Sequence, residues 1–188
     1  MLPVMAKVYT GRGDRGDTNL FGTATKVRKD HPRIAVLGHV DELNAAIGVA
    51  LEHVPDAGVA GLLRRLQDEL FTVGAEVSAA EGRTKGAEHL ALTEDAVRRL
   101  EAAMEEYNVG PIREFVMPRG PGGGAYLHLA RTVARRAERA VVVLARTEPL
   151  NPVLLAYLNR LSSLLFVLAV WTGRRAGGTE SHPTYGRR

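Results

Sequence analysis

Two stretches of this chain gather residues that could hold an anion. The first is Lys7-Val8-Tyr9-Thr10-Gly11-Arg12-Gly13-Asp14-Arg15-Gly16-Asp17-Thr18-Asn19. Glycine-rich backbone can turn successive N–H groups toward one phosphate. Here Arg12, Arg15, Lys26, Arg28 and Lys29 add positive charge, and Thr10, Thr18 and Asn19 add donors. Asp14 or Asp17 could serve a Mg²⁺ that arrives with the phosphates, usually through water. Gly11, Gly13 and Gly16 match the dinucleotide spacing G-x-G-x-x-G formally, but that fingerprint needs a βαβ unit. The next residues are Leu20-Phe21-Gly22, and the chain beyond them reads as helical, so the dinucleotide reading is rejected. A solvated N-terminal arm is the competing reading.

The second stretch carries Arg131, Arg135 and Glu138 at i, i+4 and i+7, flanked by Arg136 and Arg139. Arginines so close on one helix repel unless anions or carboxylates lie near. An internal pair of Glu138 with Arg135 or Arg131 is the simple answer, contributing about 0.3–0.5 kcal/mol. Asp41 and Glu42 fall inside the apolar stripe Val40–Leu43 of another helix, where carboxylates need partners. An Asp41–Arg131 contact is therefore expected. Asn159 sits between Leu158 and Leu161 and also needs hydrogen bonds. A polar core network and a nucleotide pocket both satisfy these residues.

Other chemistry is bounded quickly. The chain has no cysteine, which removes thiol catalysis, disulfides and cysteine-ligated metals. Its six histidines, His31, His39, His53, His89, His128 and His182, show no zinc spacing. No Glu-x-x-His pair offers di-iron ligands, so no resident metal is expected. No G-x-S-x-G occurs, and Ser162 and Ser163 read as small packing residues.

The elements that must carry these groups are helices. Val36, Val40, Leu43, Ile47, Ala50 and Val54 recur at spacings of four and three, the stripe of a helix from Pro32 to Val54. Val59, Leu62, Leu66, Leu70, Val73 and Val77 give a second after the Pro55–Gly58 break. Thr93 is the expected cap of a third, with Val97, Leu100, Met104 and Tyr107 on its stripe and a stop at 108–111. Tyr126, Leu129, Val133, Ala137, Val141 and Leu144 mark the fourth, behind the glycine-rich 118–124 loop. Asn151 and Pro152 open the fifth, whose stripe is Leu154, Leu158, Leu161, Leu165, Leu168 and Trp171. Its wide apolar face suits a central helix or one buried against another subunit. Helices of roughly 20–25 residues are ~30–38 Å long and suit an up-and-down bundle.

With 188 residues the chain forms one domain: an N-terminal loop segment 1–31, a bundle 32–172 and a flexible tail 173–188. Its longest uninterrupted apolar run, Leu164 to Trp171, is eight residues, against ~20 for a membrane span. No membrane attachment is expected, and the early Lys7 argues against a secretory signal. The missing cysteines fit a reducing, cytoplasmic location. A pI near 9.7 raises nucleic-acid binding through the fourth helix, but a net charge of +4 is small for it. A nucleotide-sensing module without catalysis is a third reading.

Four segments in order carry a resemblance. They are Val8-Tyr9-Thr10-x-x-Gly13-Asp14-x-Gly16, Gly38-x-Val40-Asp41-Glu42-Leu43-Asn44, Arg131-x-x-x-Arg135-Arg136-Ala137-Glu138-Arg139 and Tyr157-Leu158-Asn159-Arg160-Leu161-Ser162. Over about residues 6–172 the chain resembles the ATP:cob(I)alamin adenosyltransferases of the propanediol-utilisation type. The resemblance implies an all-α, five-helix bundle of the ferritin-like or cobalamin adenosyltransferase-like kind, with an ordered N-terminal loop. It also implies a homotrimer with active sites between subunits, ATP with Mg²⁺ as co-substrate, and cob(I)alamin as substrate. The implied reaction moves the 5′-deoxyadenosyl group of ATP to cobalt, giving adenosylcobalamin and triphosphate. A cobalamin reductase and a B12-dependent mutase are candidate partners; nucleic acid and membrane are not.

By the same resemblance Thr10, Gly11, Arg12, Gly13, Asp14, Gly16, Thr18 and Asn19 belong to the ATP loop. Lys29 joins them, with Arg28 as its alternative. Arg135, Arg136, Glu138, Arg139 and Asn159 are further nucleotide contacts. Asp41 and Arg131 match an intersubunit salt bridge, and Phe115 an aromatic that crowds the corrin's lower face and helps remove its axial ligand. The catalytic set is thus Arg131, Arg135, Asp41 and Phe115. Before the fourth helix the family commonly reads Leu-Pro-Gly-Gly-Ser; this chain has Met117-Pro118-Arg119-Gly120-Pro121.

Overall fold

The structure, a computed structural model, describes residues 9, 11, 13–20, 26–79 and 91–185. Among them lie two short strands and five helices: β1 (Asp17–Asn19), β2 (Lys26–Arg28), α1 (Pro32–His53), α2 (Ala57–Ser78), α3 (Glu94–Glu106), α4 (Gly124–Leu144) and α5 (Pro152–Arg175). The strands pair antiparallel, Thr18 opposite Val27.

Local chemistry sets the helix starts. Asp56 accepts from the Val59 N–H at 3.0 Å and Asn151 from the Val153 N–H at 3.0 Å, side-chain caps that satisfy orphan donors of α2 and α5. His31 does the same for α1, accepting through Nδ1 from Arg33 N. Thr93 occupies the cap position of α3 in extended conformation, but its side chain makes no cap bond. Glu94 and Asp95 instead place negative charge at that positive helix end.

Contacts at the helix ends give the directions. Gly123, at φ +84°, brings the start of α4 against His53 and Val54 at the end of α1, and a Cβ there would lie 2.7 Å from Val54 Cγ2. At the other end Arg33 of α1 pairs with Glu148 just beyond α4, so α1 and α4 are antiparallel. Gly124 packs on Ala169 and Thr172, which sets α4 antiparallel to α5. Leu92 and Asn151, Glu101 and Arg160, and Tyr107 and Trp171 pair in the same order, so α3 runs parallel to α5. The described helices thus alternate up and down, and the packed pairs are α1 with α2, α1 with α4, α4 with α5 and α3 with α5.

The stripes of α1 and α2 are buried throughout, from Val36 to Val54 and from Val59 to Val77. On α4 the expected Tyr126 and Leu129 are exposed, and Leu127, His128 and Ala130 are buried in their place. The buried stripe runs Leu127, Ala130, Ala134, Ala137, Val141 and Leu144 along one regular helix, with alanines where the sequence pattern favours the larger residues beside them. α3 has 13 residues, starting after Thr93 and closing at Tyr107 just before the expected stop at 108–111. α1 and α5 are long and apolar enough to cross a membrane by length and composition, with window mean hydropathies of 1.4 and 1.9. Their apolar residues are spent on the bundle core: Leu43, Ile47, Leu158, Leu161, Leu164 and Leu165 are all fully buried. The face of α5 is therefore covered within the chain rather than left for a second subunit.

α5 continues to Arg175, three residues past the expected boundary at 172. Beyond it the chain turns back rather than running free: Gly178 N bonds Gly173 O at 2.9 Å, and Met117 N bonds Ser181 O at 2.8 Å.

Candidate functional site

The N-terminal loop is a series of tight turns closed by the β1–β2 hairpin. Asp14 N reaches Gly11 O at 3.3 Å, and Gly16 N reaches Gly13 O at 3.2 Å. Gly11 and Gly16 take φ +68° and +85°, the left-handed region where glycine is unstrained. Lys29 N closes the loop on Gly16 O at 2.8 Å. The Lys29 ammonium lies over Gly13, so close that a Cβ there would sit 3.1 Å from Nζ. Arg28 points elsewhere and forks onto Asp30, with Nε–Oδ1 at 3.1 Å. That ion pair holds the Asp30 carboxyl below its ordinary range. Asp14, Thr18 and Asn19 lie in or beside these turns; Thr10 and Arg12 lie outside the described residues.

On α4 the arginines divide by position. Arg135 and Arg139 are exposed with no ion pair among the described residues. Arg131 and Arg136 are half-buried, and the Nε of each is buried without an acceptor. Burial, and then the nearby Arg135 charge, lower the Arg131 pKa. Arg136 pairs with Glu42 of α1. Glu138 takes neither Arg131 nor Arg135: its Oε1 accepts from Asn159 Nδ2 of α5 at 2.9 Å. Arg160 donates to Asn159 Oδ1 at 2.8 Å and, from Nε, to Glu101 of α3 at 2.8 Å. Glu138, Asn159, Arg160 and Glu101 are thus one chain of bonds across α4, α5 and α3.

The expected Asp41–Arg131 pair does not form within the chain. One residue on a helix is about 100° of rotation. Glu42 faces α4, whereas Asp41 turns toward α2. There Asp41 lines a groove of about 350 Å³ with Leu37, Val40, Asn44, Leu70 and Phe71. Phe71 is 73% exposed on that groove.

Phe115 lies in the loop before α4, its ring 78% exposed. With Arg113, Glu114 and residues 183–185 it borders a hollow of about 490 Å³. The turn bonds of the N-terminal loop and its Arg28–Asp30 pair stay within that segment, and none of them reaches α4.

The profile of the cobalamin adenosyltransferase family matches residues 8–172. The chain belongs to the cobalamin adenosyltransferase family. It is 40% identical over 178 residues to a cobalamin adenosyltransferase of Cupriavidus metallidurans, covering 94% of this chain and 93% of that one. It is 37% identical to the corrinoid adenosyltransferase PduO of Salmonella typhimurium over 93% of this chain, and spans about half (51%) of that longer relative. In structure it resembles a variant of the PduO-type ATP:corrinoid adenosyltransferase from Lactobacillus reuteri, complexed with cobalamin and ATP. That match has a TM-score of 0.87 and 28% identity, covering 95% of this chain and 99% of the other.

Two partners escaped the sequence reading, Glu42 for Arg136 and Arg160 for Asn159. The signal was present for both. Glu42 is one helical step from Asp41, and Arg160 adjoins Asn159 in the fourth motif.

Proposed function

We propose that this chain transfers the 5′-deoxyadenosyl group of ATP to the cobalt of cob(I)alamin, releasing triphosphate. The observation that supports the site best is the α4 face: Arg131 and Arg136 have buried, unmet Nε donors, and Arg135 and Arg139 beside them have no ion pair among the described residues. An unmet buried donor costs about 1–3 kcal/mol, a cost that an anion's oxygens remove. Cob(I)alamin is itself the nucleophile. Its cobalt lone pair attacks C5′, and the C5′–O bond breaks toward the triphosphate. The chain then needs no serine, cysteine or histidine at the reacting carbon. Its task is to position substrates and to stabilise charge growing on the leaving group.

In this reading Thr10, Gly11, Arg12, Gly13, Asp14, Gly16, Thr18, Asn19 and Lys29 grip the phosphates. Lys29 is favoured over Arg28 because its ammonium lies over the loop while Arg28 is held by Asp30. Arg135, Arg136, Glu138, Arg139 and Asn159 complete the nucleotide contacts. Mg²⁺ enters with ATP: among the described residues no group of three acidic or histidine side chains could hold a metal alone. Asp14 and Asp17 suit it through water, with phosphate oxygens as the main ligands.

We also propose a homotrimer with interfacial sites. Asp41 on α1 of one subunit and Arg131 on α4 of the next would pair. ATP would lie along the N-terminal loop and α4 of one subunit, with the corrin against its neighbour. The absence of an ion pair at both residues among the described ones, and the exposed Phe71, Leu129 and Val143, support this. A cytoplasmic location belongs to the same proposal, supported by α5 being buried in the bundle. A cobalamin reductase or a B12-dependent mutase would be its partner there.

The test is to mix the protein with MgATP and anaerobically reduced cobalamin. Triphosphate and a light-sensitive cobalt–carbon product are expected. Neither product, with reduction of cobalt verified, would sink the proposal.

A further inference from the structure

The tail beyond α5 folds back on the loop that carries Phe115. Four contacts fasten it. His182 Nδ1 lies 2.9 Å from Phe115 O, and because a carbonyl only accepts, the nitrogen must donate. Met117 N donates to Ser181 O at 2.8 Å. Arg119 Nε donates to Ser181 Oγ at 2.7 Å. Gly178 sits so tightly on Pro121 that a Cβ there would lie 2.7 Å from its Cδ and 3.0 Å from Gly173 O. Arg174, at the end of α5, anchors the strap further by pairing with Glu180 and donating to Val109 O at 2.6 Å. Under the strap only about 20 Å³ remains, bordered by His128, Arg119, Pro121 and Glu180, room for roughly one water.

These contacts fix backbone while leaving one side chain free. The Phe115 carbonyl is held, yet its ring is 78% exposed. Arg119 and Pro121 are two of the residues by which this chain departs from the family's Leu-Pro-Gly-Gly-Ser. The departure and the tail therefore fit one another: a glycine at 119 could not reach Ser181, and a serine at 121 would not offer Gly178 the same ring.

We propose that the strap 177–182 is a positioning element for Phe115, latched onto 115–121 by Arg119, Pro121, Gly178, Ser181 and His182. Its functional part rests on the reading of Phe115 as the aromatic beside the corrin. A held carbonyl fixes the backbone from which the ring projects, and positioning errors of about 1 Å can cost on the order of 100-fold in rate.

The experiment compares full-length His182→Ala, His182→Asn, Gly178→Ala and Phe115→Ala. Hydrogen exchange at the Met117 amide is read first. It should speed up in His182→Ala and Gly178→Ala and return toward wild type in His182→Asn, whose amide can donate to the same carbonyl. Turnover starting from cob(II)alamin with a reductant should fall about tenfold in the first two, with KM for ATP unchanged. The fraction of bound cob(II)alamin that has lost its axial base, read by absorption and electron paramagnetic resonance, should fall with it. Unchanged Met117 exchange in both variants overturns the latch outright. Slower turnover in Phe115→Ala but not in the strap variants overturns the positioning role alone. Full turnover in Phe115→Ala overturns the corrin-facing reading and the functional part together.

Discussion

Asn159 of α5 donates through Nδ2 to Glu138 of α4 at 2.9 Å, with Arg160 donating to its Oδ1 at 2.8 Å. Both ends of one amide are therefore used, which fixes its orientation and that of the Glu138 carboxylate. Asn159→Ala removes the link and frees Glu138 to turn toward Arg135, whose positive charge the triphosphate would otherwise meet. We expect kcat/KM for ATP to fall at least about tenfold, with loss of about 1 kcal/mol of stability. A double-mutant cycle with Glu138→Ala, which removes the acceptor, should show the two effects to be non-additive. Additive losses would mean that the pair is not a unit.

Arg135 is exposed and has no ion pair among the described residues, so its removal leaves packing intact. Arg135→Ala should keep the wild-type melting temperature within about 2 °C. It should lower turnover strongly and weaken the rise in melting temperature that MgATP gives wild type. Steady-state kinetics and thermal melts with and without MgATP check this. Unchanged activity would remove Arg135 from the site.

Asp41 and Arg131 each lack an ion-pair partner among the described residues, although both lie beside apolar seams. If they pair between subunits, Asp41→Arg and Arg131→Asp should each lower the mass measured by light scattering after gel filtration. The double variant restores one opposite-charge pair at each interface and should recover the assembly. Equal masses in all four proteins would place both residues outside any interface.

Helix number, order and stripes were legible because apolar periodicity is a local signal, and it held from Val36 to Val54 and from Val59 to Val77. The start of α4 misled because its buried stripe passes through Leu127, Ala130 and Ala134, and two of these are small residues beside the larger but exposed Tyr126 and Leu129. Side-chain partners were less legible. Asp41 and Glu42 read alike in sequence, and only the placement of α4 tells which faces an arginine. The tail gave glycine-rich composition and suggested freedom. Its bonds to 115–121 join residues more than 60 positions apart, which no local pattern contains. The glycine turns around Gly11–Gly16 were legible, but the Arg28–Asp30 pair and the Lys29 ammonium over Gly13 join side chains that no local pattern pairs.

Tyr157 is fully buried, and its hydroxyl donates to Glu69 at 2.8 Å while Arg99 pairs with the same carboxylate. Burial first, then the Glu69 charge, pushes the phenol pKa well above its ordinary value, so it stays a donor. Tyr157→Phe leaves Glu69 its arginine but removes the buried bond, costing about 1–2 kcal/mol. For a chain of this size that is a fall of about 3–6 °C in melting temperature. Activity at 25 °C should change little, since the network lies on the α2–α3 side of α5. A large loss of turnover without a stability change would contradict that structural assignment.

His128 is 2% exposed, lies edge-on to Phe166 and has no partner for Nδ1 among the described residues. Burial, and then the Arg131 charge, lower its pKa from 6.5 to about 4. Above neutral pH the ring is uncharged folded or unfolded, and its ionisation leaves stability untouched. Between about 6.5 and 4 the unfolded chain binds a proton that the folded chain refuses, so stability falls with pH; below about 4 this group adds no further loss. At roughly 1.4 kcal/mol per pH unit the full drop is on the order of 3.5 kcal/mol. His128→Leu removes both the proton and the orphan nitrogen. Urea melts from pH 8 to 4 should therefore show wild type losing stability relative to His128→Leu across that window, with the two profiles parallel above pH 7. Profiles parallel over the whole range would mean that His128 is not held neutral by its burial.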